Sequence, residues 1–485
     1  MTAVPRCELA PDFTVSRIVT GLWQIADMER DGRQLDQRAT ADAMEPYVAA
    51  GLTTFDMADH YGSAEEIAGL YRSSHATPPT EFLTKWVPRP GSLTHEEVRA
   101  AVQRSLDRLG TSRLDLLQFH AWVYADPHWL DELFHLQELK EEGLIRHLGV
   151  TNIDTAHLRV ILNSGIDVVS NQISFSLIDQ RALHGMTELC EQSGVKLITF
   201  GAVAGGFLTE RWVGAPEPEI EELSTWSMMK YKRFIDVAGG WEEFQNLLQV
   251  VEGVARRLNV SIPNVACRYV LDHPAVASVI IGARLGQRDH IRDNIRLFEF
   301  GFDNASRDEI AQAVARLRPI PGDCGDEYRR APFLTASGDL SHHVREFPKP
   351  YDIRTLADGR RRVLTGTYWE EVAGFCRALR IGERILVSGT TATHRDRAIG
   401  GADPAAQAHF IIDKIEGAII SLGGTLEDVV RTRIYIRDLE DWEPVSRVHG
   451  ERFRHVRPAN TLVQAELIGD EYLVEIEAEA ICPSE

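Results

Sequence analysis

The sequence lacks much of what several protein classes require. Its six cysteines (Cys7, Cys190, Cys267, Cys324, Cys376 and Cys482) are scattered, with no C-x-x-C and no Cys/His cluster. That spacing suits reduced thiols and offers no zinc site. His342 and His343 form an adjacent pair in a polar stretch and read as solvated, not as metal ligands. No apolar run approaches the ~20 residues needed to span a bilayer. The opening MTAVPRCELAPDF has no apolar signal core, so a cytoplasmic protein without a membrane partner is expected. Basic residues are in deficit: 52 Lys and Arg face 72 Asp and Glu, a formal net charge of −20. Such a balance argues against a phosphate-tracking surface, and so against nucleic acid as a partner. A G-x-G-x-x-G fingerprint is missing too. The nearest glycine-rich piece, GAVAGGF at 201–207, has the wrong spacing, which speaks against an open dinucleotide-binding sheet.

What remains is an ordinary soluble composition, 44% hydrophobic and 26% charged, over 485 residues. That length predicts two or three domains. From about residue 13 to 285, eight short apolar strands alternate with helix-period segments: SRIVTGLWQI, LTTFDM, EFLTKWV, LDLLQFHA, IRHLGVT, DVVSNQIS, KLITFGA and VASVIIGA. The intervening segments, such as THEEVRAAVQRSLDRLG and DTAHLRVILNSG, open on Thr or Asp and end in Gly, as helix capping predicts. Eight such repeats predict an α/β fold of the closed (β/α)8, or TIM-barrel, kind.

Residues 208–240 interrupt the alternation after the seventh strand with a Pro-, Glu- and Trp-rich insertion. Loops at that end of a barrel contact substrate, and Trp212, Trp226, Met228, Met229 and Tyr231 are its candidates for an apolar pocket. From 321 to 350 periodicity dissolves into a Gly-, Pro-, Asp- and Arg-rich linker or arm. Beyond it, residues 351–485 carry strands and two helices that predict a separate α+β domain large enough for its own core.

Four polar residues sit at the ends of three successive strands: Asp56 and Tyr61 in FDMADHYG, Lys85 in LTKW, and His120 in LDLLQFH. Singly each reads as a cap, a rim aromatic, a surface cation or a core imidazole. Together, within FDMADHYGSAE, RSLDRLGTSRLDLLQFH, LGVTN, SNQISFS and IIGAR…DN, they resemble the catalytic tetrad of the aldo-keto reductases. The resemblance covers about residues 1–320. It implies hydride transfer between a nicotinamide cofactor and a carbonyl or alcohol, with Tyr61 as proton donor. A free phenol, with pKa about 10, is a poor acid at neutral pH; a neighbouring Lys85 ammonium favours the phenolate. Asp56 then holds Lys85, and His120 orients the carbonyl oxygen. The same resemblance gives Thr151, Asn152 and Gln172 to the nicotinamide carboxamide, Phe200 to the ring face, and Gly282, Arg284 and Asn294 to the adenosine end. An arginine fork suits a 2′-phosphate, so NADP(H) is expected ahead of NAD(H), although His290 stands where many family members carry a further basic residue. No metal is implied.

Residues 365–482 resemble the Rid (YjgF-type) family, a chorismate-mutase-like α+β fold, through IGERILVSGTTAT, GGTLEDVVRTRIYIRDLEDW, HGERF–RPA and LVEIEAEAI. That family forms trimers and hydrolyses imines by gripping a carboxylate with the arginine of a P-A-R motif. Here the motif reads Pro458-Ala459-Asn460, and Asn cannot form the charged clamp. Phe375 stands where a Tyr is common, while Glu475 keeps the family's acid. The expectation is therefore an NADPH-dependent carbonyl reductase whose second domain drives homo-oligomerisation or binds another ligand. The alternatives are a bifunctional imine hydrolase and reductase, and an NADPH-binding sensor or scaffold.

Overall fold

The computed structural model describes residues 3–75, 78–335, 344 and 347–482; the His342–His343 pair lies outside them. All eight strands expected from the sequence form one closed parallel barrel. In order they are Ile18–Gly21, Thr54–Asp56, Glu81–Trp86, Leu114–Phe119, Ile145–Thr151, Val168–Ser174, Lys196–Phe200 and Val276–Gly282, the eighth pairing with the first. A hairpin of Arg6–Ala10 with Phe13–Ser16 plugs the bottom, packing Leu9, Phe13 and Val15 under Leu83, Leu116 and Ile198. The helices follow their caps. His95–Leu109 begins on a Thr94/Glu97 capping box and ends at Gly110 in the left-handed region.

The insertion after the seventh strand contains a helix, Trp226–Val237, capped by Thr225. Its aromatics do not share one pocket. Trp212 is buried away from the barrel mouth, its ring 4.9 Å from that of Phe207. Tyr231 presses its phenol oxygen against Gly201, where a Cβ would come within 2.0 Å of it. Met228 and Met229 pack on the same outer core as Trp212. Trp226 does meet a ring of the mouth: it lies 5.6 Å from Trp23. Core packing claimed the others, a choice their composition could not reveal.

The arm places a short helix, Asp326–Arg329, against the mouth of the barrel. The second domain is a seven-stranded sheet in the order Asp352–Thr355, Arg361–Leu364, Ala378–Ile381, Arg384–Thr391, Val474–Ile481, Val429–Ile436, Ala459–Gln464, parallel only in the last pair. Helix Pro404–Ser421 lies across it, with Trp442–Arg452 alongside. The other side of Pro404–Ser421 packs on the barrel helix Thr155–Asn163. Gly417 makes the close approach possible, since a Cβ there would lie 2.2 Å from the Ala125 carbonyl oxygen. Among the described residues no helix is long and apolar enough to cross a membrane.

Candidate active site

The barrel delivers its polar residues to one rim because each follows, or ends, a parallel strand. Asp56 ends the second strand, Lys85 lies one residue from the end of the third, and His120 follows the fourth. Lys85 Nζ donates to both carboxylate oxygens of Asp56 at 2.7 Å and to the Met57 carbonyl at 2.8 Å. Both partners are buried. Burial pushes the Lys85 ammonium toward losing its proton, and the Asp56 carboxylate opposes that. Above it the Tyr61 ring centroid is 4.9 Å from Lys85 Nζ. His120 points Nδ1 at the Thr151 carbonyl oxygen, 3.3 Å away, so Nδ1 is the donor and Nε2 lies on the other side of the ring.

Aromatic rings wall this group. Trp23 meets the edge of Tyr61 at 4.8 Å, and Trp122 meets His120 at 4.5 Å while its indole N–H donates to the Pro88 carbonyl. Tyr328, from the arm, stands 5.6 Å from His120 and accepts a 2.7 Å hydrogen bond from Lys230 Nζ. Lys230, from the insertion helix, lies 5.0 Å over Phe200. Its charge is shared with Glu327, which also pairs with Arg181 at 2.8 Å.

The residues expected at the cofactor fall in two groups. Thr151, Asn152, Gln172 and Phe200 sit at or near the ends of the fifth, sixth and seventh strands. Thr151 donates its hydroxyl to the Gln172 carbonyl. Gln172 turns its amide inward, donating to Asp56 Oδ1 at 2.7 Å and to Gln118 Oε1 at 3.1 Å, so here it braces the tetrad's acid. Asn152 adopts φ 58°, and its Oδ1 is buried without a hydrogen-bond partner. A buried acceptor with nothing to accept fits a ligand that brings an amide N–H, as a carboxamide does. At the other end of the mouth, Gly282 ends the eighth strand, Arg284 pairs with Asp27, and Asn294 and His290 lie at the helix Ile291–Ile295.

Four residues of this region escaped sequence reading. Lys230 and Tyr328 come from the insertion and the arm, which carry no periodic signal. Arg329 donates to the carbonyls of Asn152 (2.6 Å) and Ala121. Asp154 caps the next helix through the His157 amide; its D-x-x-H spacing signals only a cap. In the second domain, Asn460 donates to Thr432 Oγ1 at 2.9 Å, and that hydroxyl meets His449 Nε2 at 2.8 Å. Glu475 lies against Gly389, and Phe375 beneath the Arg377 guanidinium. No group of three His, Cys, Asp or Glu able to hold a metal is found among the described residues.

Two segments of the chain match known families. Residues 17–315 match the model of the Aldo/keto reductase family, and residues 367–482 that of Endoribonuclease L-PSP. An uncharacterized protein of Streptomyces coelicolor is 40% identical over 121 residues, 25% of this chain and 90% of its own length. The NADH-specific methylglyoxal reductase of Escherichia coli is 25% identical over 343 residues, 63% of this chain and 97% of that protein. A solved glycerol dehydrogenase from Gluconobacter oxydans superposes with a TM-score of 0.52 over 66% of this chain and 96% of that one, at 22% identity, a likeness of fold.

Proposed function

The chain belongs to the aldo/keto reductase family, and on that premise we propose that it transfers a hydride between NADP(H) and a small carbonyl or alcohol, using Asp56, Tyr61, Lys85 and His120. The observation that carries this reading is the buried Lys85 ammonium. It is gripped by Asp56 and lies beneath the Tyr61 ring. A cation so placed stabilises the phenolate left when Tyr61 gives up its proton. The dinucleotide, when bound, supplies the hydride. On the protein's side, the Tyr61 O–H bond breaks as its proton passes to the oxygen of the carbonyl being reduced. His120 holds that oxygen in line, with its own ring fixed by the Thr151 carbonyl. Trp23, Trp122 and Trp226 keep water from the reacting atoms and favour a small apolar or dicarbonyl substrate. In alcohol oxidation Tyr61 takes the proton instead.

Asn152 and Phe200 support a nicotinamide end at the fifth and seventh strands, and Arg284 supports a 2′-phosphate at the other end. A second reading for the cofactor, NADH, is favoured by the Asp27 carboxylate that already occupies Arg284 and by the name of the Escherichia coli relative. For the Rid-type domain we favour oligomerisation or ligand binding over imine hydrolysis, because Asn460 is tied to Thr432 and carries no charge. Exposed Leu386, Val463 and Ile481 on its sheet support a homo-oligomer, and the resemblance to the Rid family favours a trimer.

The test is dinucleotide oxidation with a panel of aldehydes, ketones and dicarbonyls, run with NADPH and NADH on wild type and Tyr61→Phe. Turnover by wild type that drops roughly 100-fold or more in Tyr61→Phe carries the reading. Dinucleotide binding with no turnover of any carbonyl would give the site to a sensor or scaffold.

A further inference from the structure

A buried row of charges joins the loop after the fifth barrel strand to the second domain. Asp154 Oδ1 accepts from the His157 backbone N–H at 2.8 Å and from its Nδ1 at 2.6 Å. The other ring nitrogen, Nε2, meets Asp413 Oδ2 at 2.8 Å, on the domain-two helix Pro404–Ser421. The second Asp413 oxygen accepts from Arg452 Nη1 at 2.6 Å. His157, Asp154 and Asp413 are 1%, 5% and 2% exposed. Tyr124 lies flat on His157, ring centroids 3.4 Å apart, and its phenol oxygen accepts from the Asp154 amide at 3.3 Å. The Arg329 guanidinium stacks 4.4 Å over the other side of Tyr124.

The same frame fixes residues 151–155 from every side. Asn152 N–H donates to the Gln172 carbonyl, the Asn152 carbonyl accepts from Arg329, and the Ile153 carbonyl accepts from Asn171. Thr155 N–H donates to Asp323 of the arm. Asn152 needs such a frame, because a non-glycine residue at φ 58° persists only where its surroundings over-determine it. Among these supports Asp413 is the one that reaches across from domain two. Removing it leaves an imidazole N–H and Arg452 in a dry interface with one acceptor fewer.

We propose that Asp413 is a positioning residue for the dinucleotide: through His157 and Asp154 it holds Asn152 in the conformation that receives the nicotinamide end. The Rid-type domain thus completes the barrel's cofactor site. This rests on the reading of Asn152 as a cofactor contact.

The experiment compares dinucleotide Kd, by quenching of tryptophan fluorescence, in the full-length wild type, Asp413→Asn, Asn152→Ala and Arg159→Ala. Arg159→Ala breaks a different contact between the domains, the exposed Arg159–Asp403 pair. Asp413→Asn is expected to raise Kd about tenfold, with kcat at saturating dinucleotide within about twofold of wild type. Hydrogen exchange should speed up over residues 151–157, and Arg159→Ala should bind as wild type. A folded Asp413→Asn with unchanged Kd, beside an Asn152→Ala that binds weakly, overturns the inference and spares the cofactor reading. An Asn152→Ala with unchanged Kd sinks the cofactor reading of the loop, and the role of Asp413 with it. Should Asp413→Asn fail to fold, His157→Gln carries the same measurement, and wild-type affinity there is equally fatal.

Discussion

Arg284 Nη2 and Asp27 Oδ2 meet at 2.5 Å between the end of the eighth strand and the helix Trp23–Met28, where a dinucleotide's adenosine end is expected. The Asp27 side chain is buried while Arg284 is more than a third exposed. Burial raises the Asp27 carboxyl above its usual range, and the guanidinium works against that. An incoming 2′-phosphate has to compete with this carboxylate for the fork, whereas a ribose hydroxyl can donate to it.

Asp27→Asn is therefore expected to raise the NADPH/NADH ratio of kcat/KM by about tenfold, since like-charge repulsion is removed and the fork is released. Arg284→Ala should lower the NADPH value more than the NADH value. Both are read from steady-state kinetics on one substrate with each cofactor. A ratio that stays at the wild-type value in both variants would separate this ion pair from cofactor choice.

Asp56→Asn tests what keeps Lys85 charged. With burial already drawing the ammonium's proton off, loss of the carboxylate leaves the Met57 carbonyl and a neutral amide as its partners. The Lys85 pKa in the variant lies further below its ordinary value, so the charged form survives only at lower pH. The expectation is a kcat about 100-fold or more below wild type at neutral pH. The loss should deepen as pH rises through a range where the wild-type profile is flatter. A pH–rate profile parallel to that of wild type would mean that Asp56 does not govern the charge on Lys85.

The barrel was legible because its strands are apolar runs of branched residues separated by capped helices, and period and caps agree along the chain. The gathering of Asp56, Tyr61, Lys85 and His120 at one rim was legible through their position at strand ends. The arm was not. Tyr328 and Arg329 lie in a stretch without periodicity, and Arg329 acts on backbone carbonyls, which have no sequence signature. Nor was the join between the domains: Asp154 reads as a helix cap, nothing in the sequence pairs His157 with Asp413, and only packing of the two domains makes them buried partners. Trp212 and Tyr231 illustrate the reverse, aromatic residues in a loop that serve a core and not a pocket. The hairpin Asp352–Thr355 with Arg361–Leu364 extends the second sheet beyond the segment that carries the family resemblance.

His157 also makes a prediction about stability. It faces Asp154 and Asp413, with Arg452 bonded to Asp413. Burial works against its charge, but the two carboxylates prevail and raise its pKa to about 9. Because the folded value lies above that of a free imidazole, the stabilisation is fully present below about pH 6.5. It is lost as pH rises through about 9, amounting to at most about 3 kcal/mol. Thermal midpoints measured from pH 6 to 10 should fall more steeply in wild type than in His157→Gln. Equal slopes would remove His157 from the account of alkaline stability.

Glu132 also has a raised pKa, but there burial penalises the ionised form, so at neutral pH it costs stability. It lies on the helix His128–Glu141 and lines a small cavity with His120, Trp122 and Trp129. Burial, with Asp126 and Asp131 adding to it, raises its pKa to about 9, and Arg89 only partly counters this. The folded protein thus holds a proton at pH 7 that the unfolded chain releases. The resulting cost is absent below about pH 4.5 and grows with pH until about 9, reaching up to about 3 kcal/mol at pH 7. Glu132→Gln presents a neutral group of the same shape without that cost, so its denaturation midpoint should exceed that of wild type at pH 7. The two should converge toward about pH 3.5, a unit below the ordinary carboxyl value, where the wild-type side chain is protonated in both states. Measured urea midpoints that differ equally at both pH values would show that the gain, or loss, comes from packing of the amide and not from the proton.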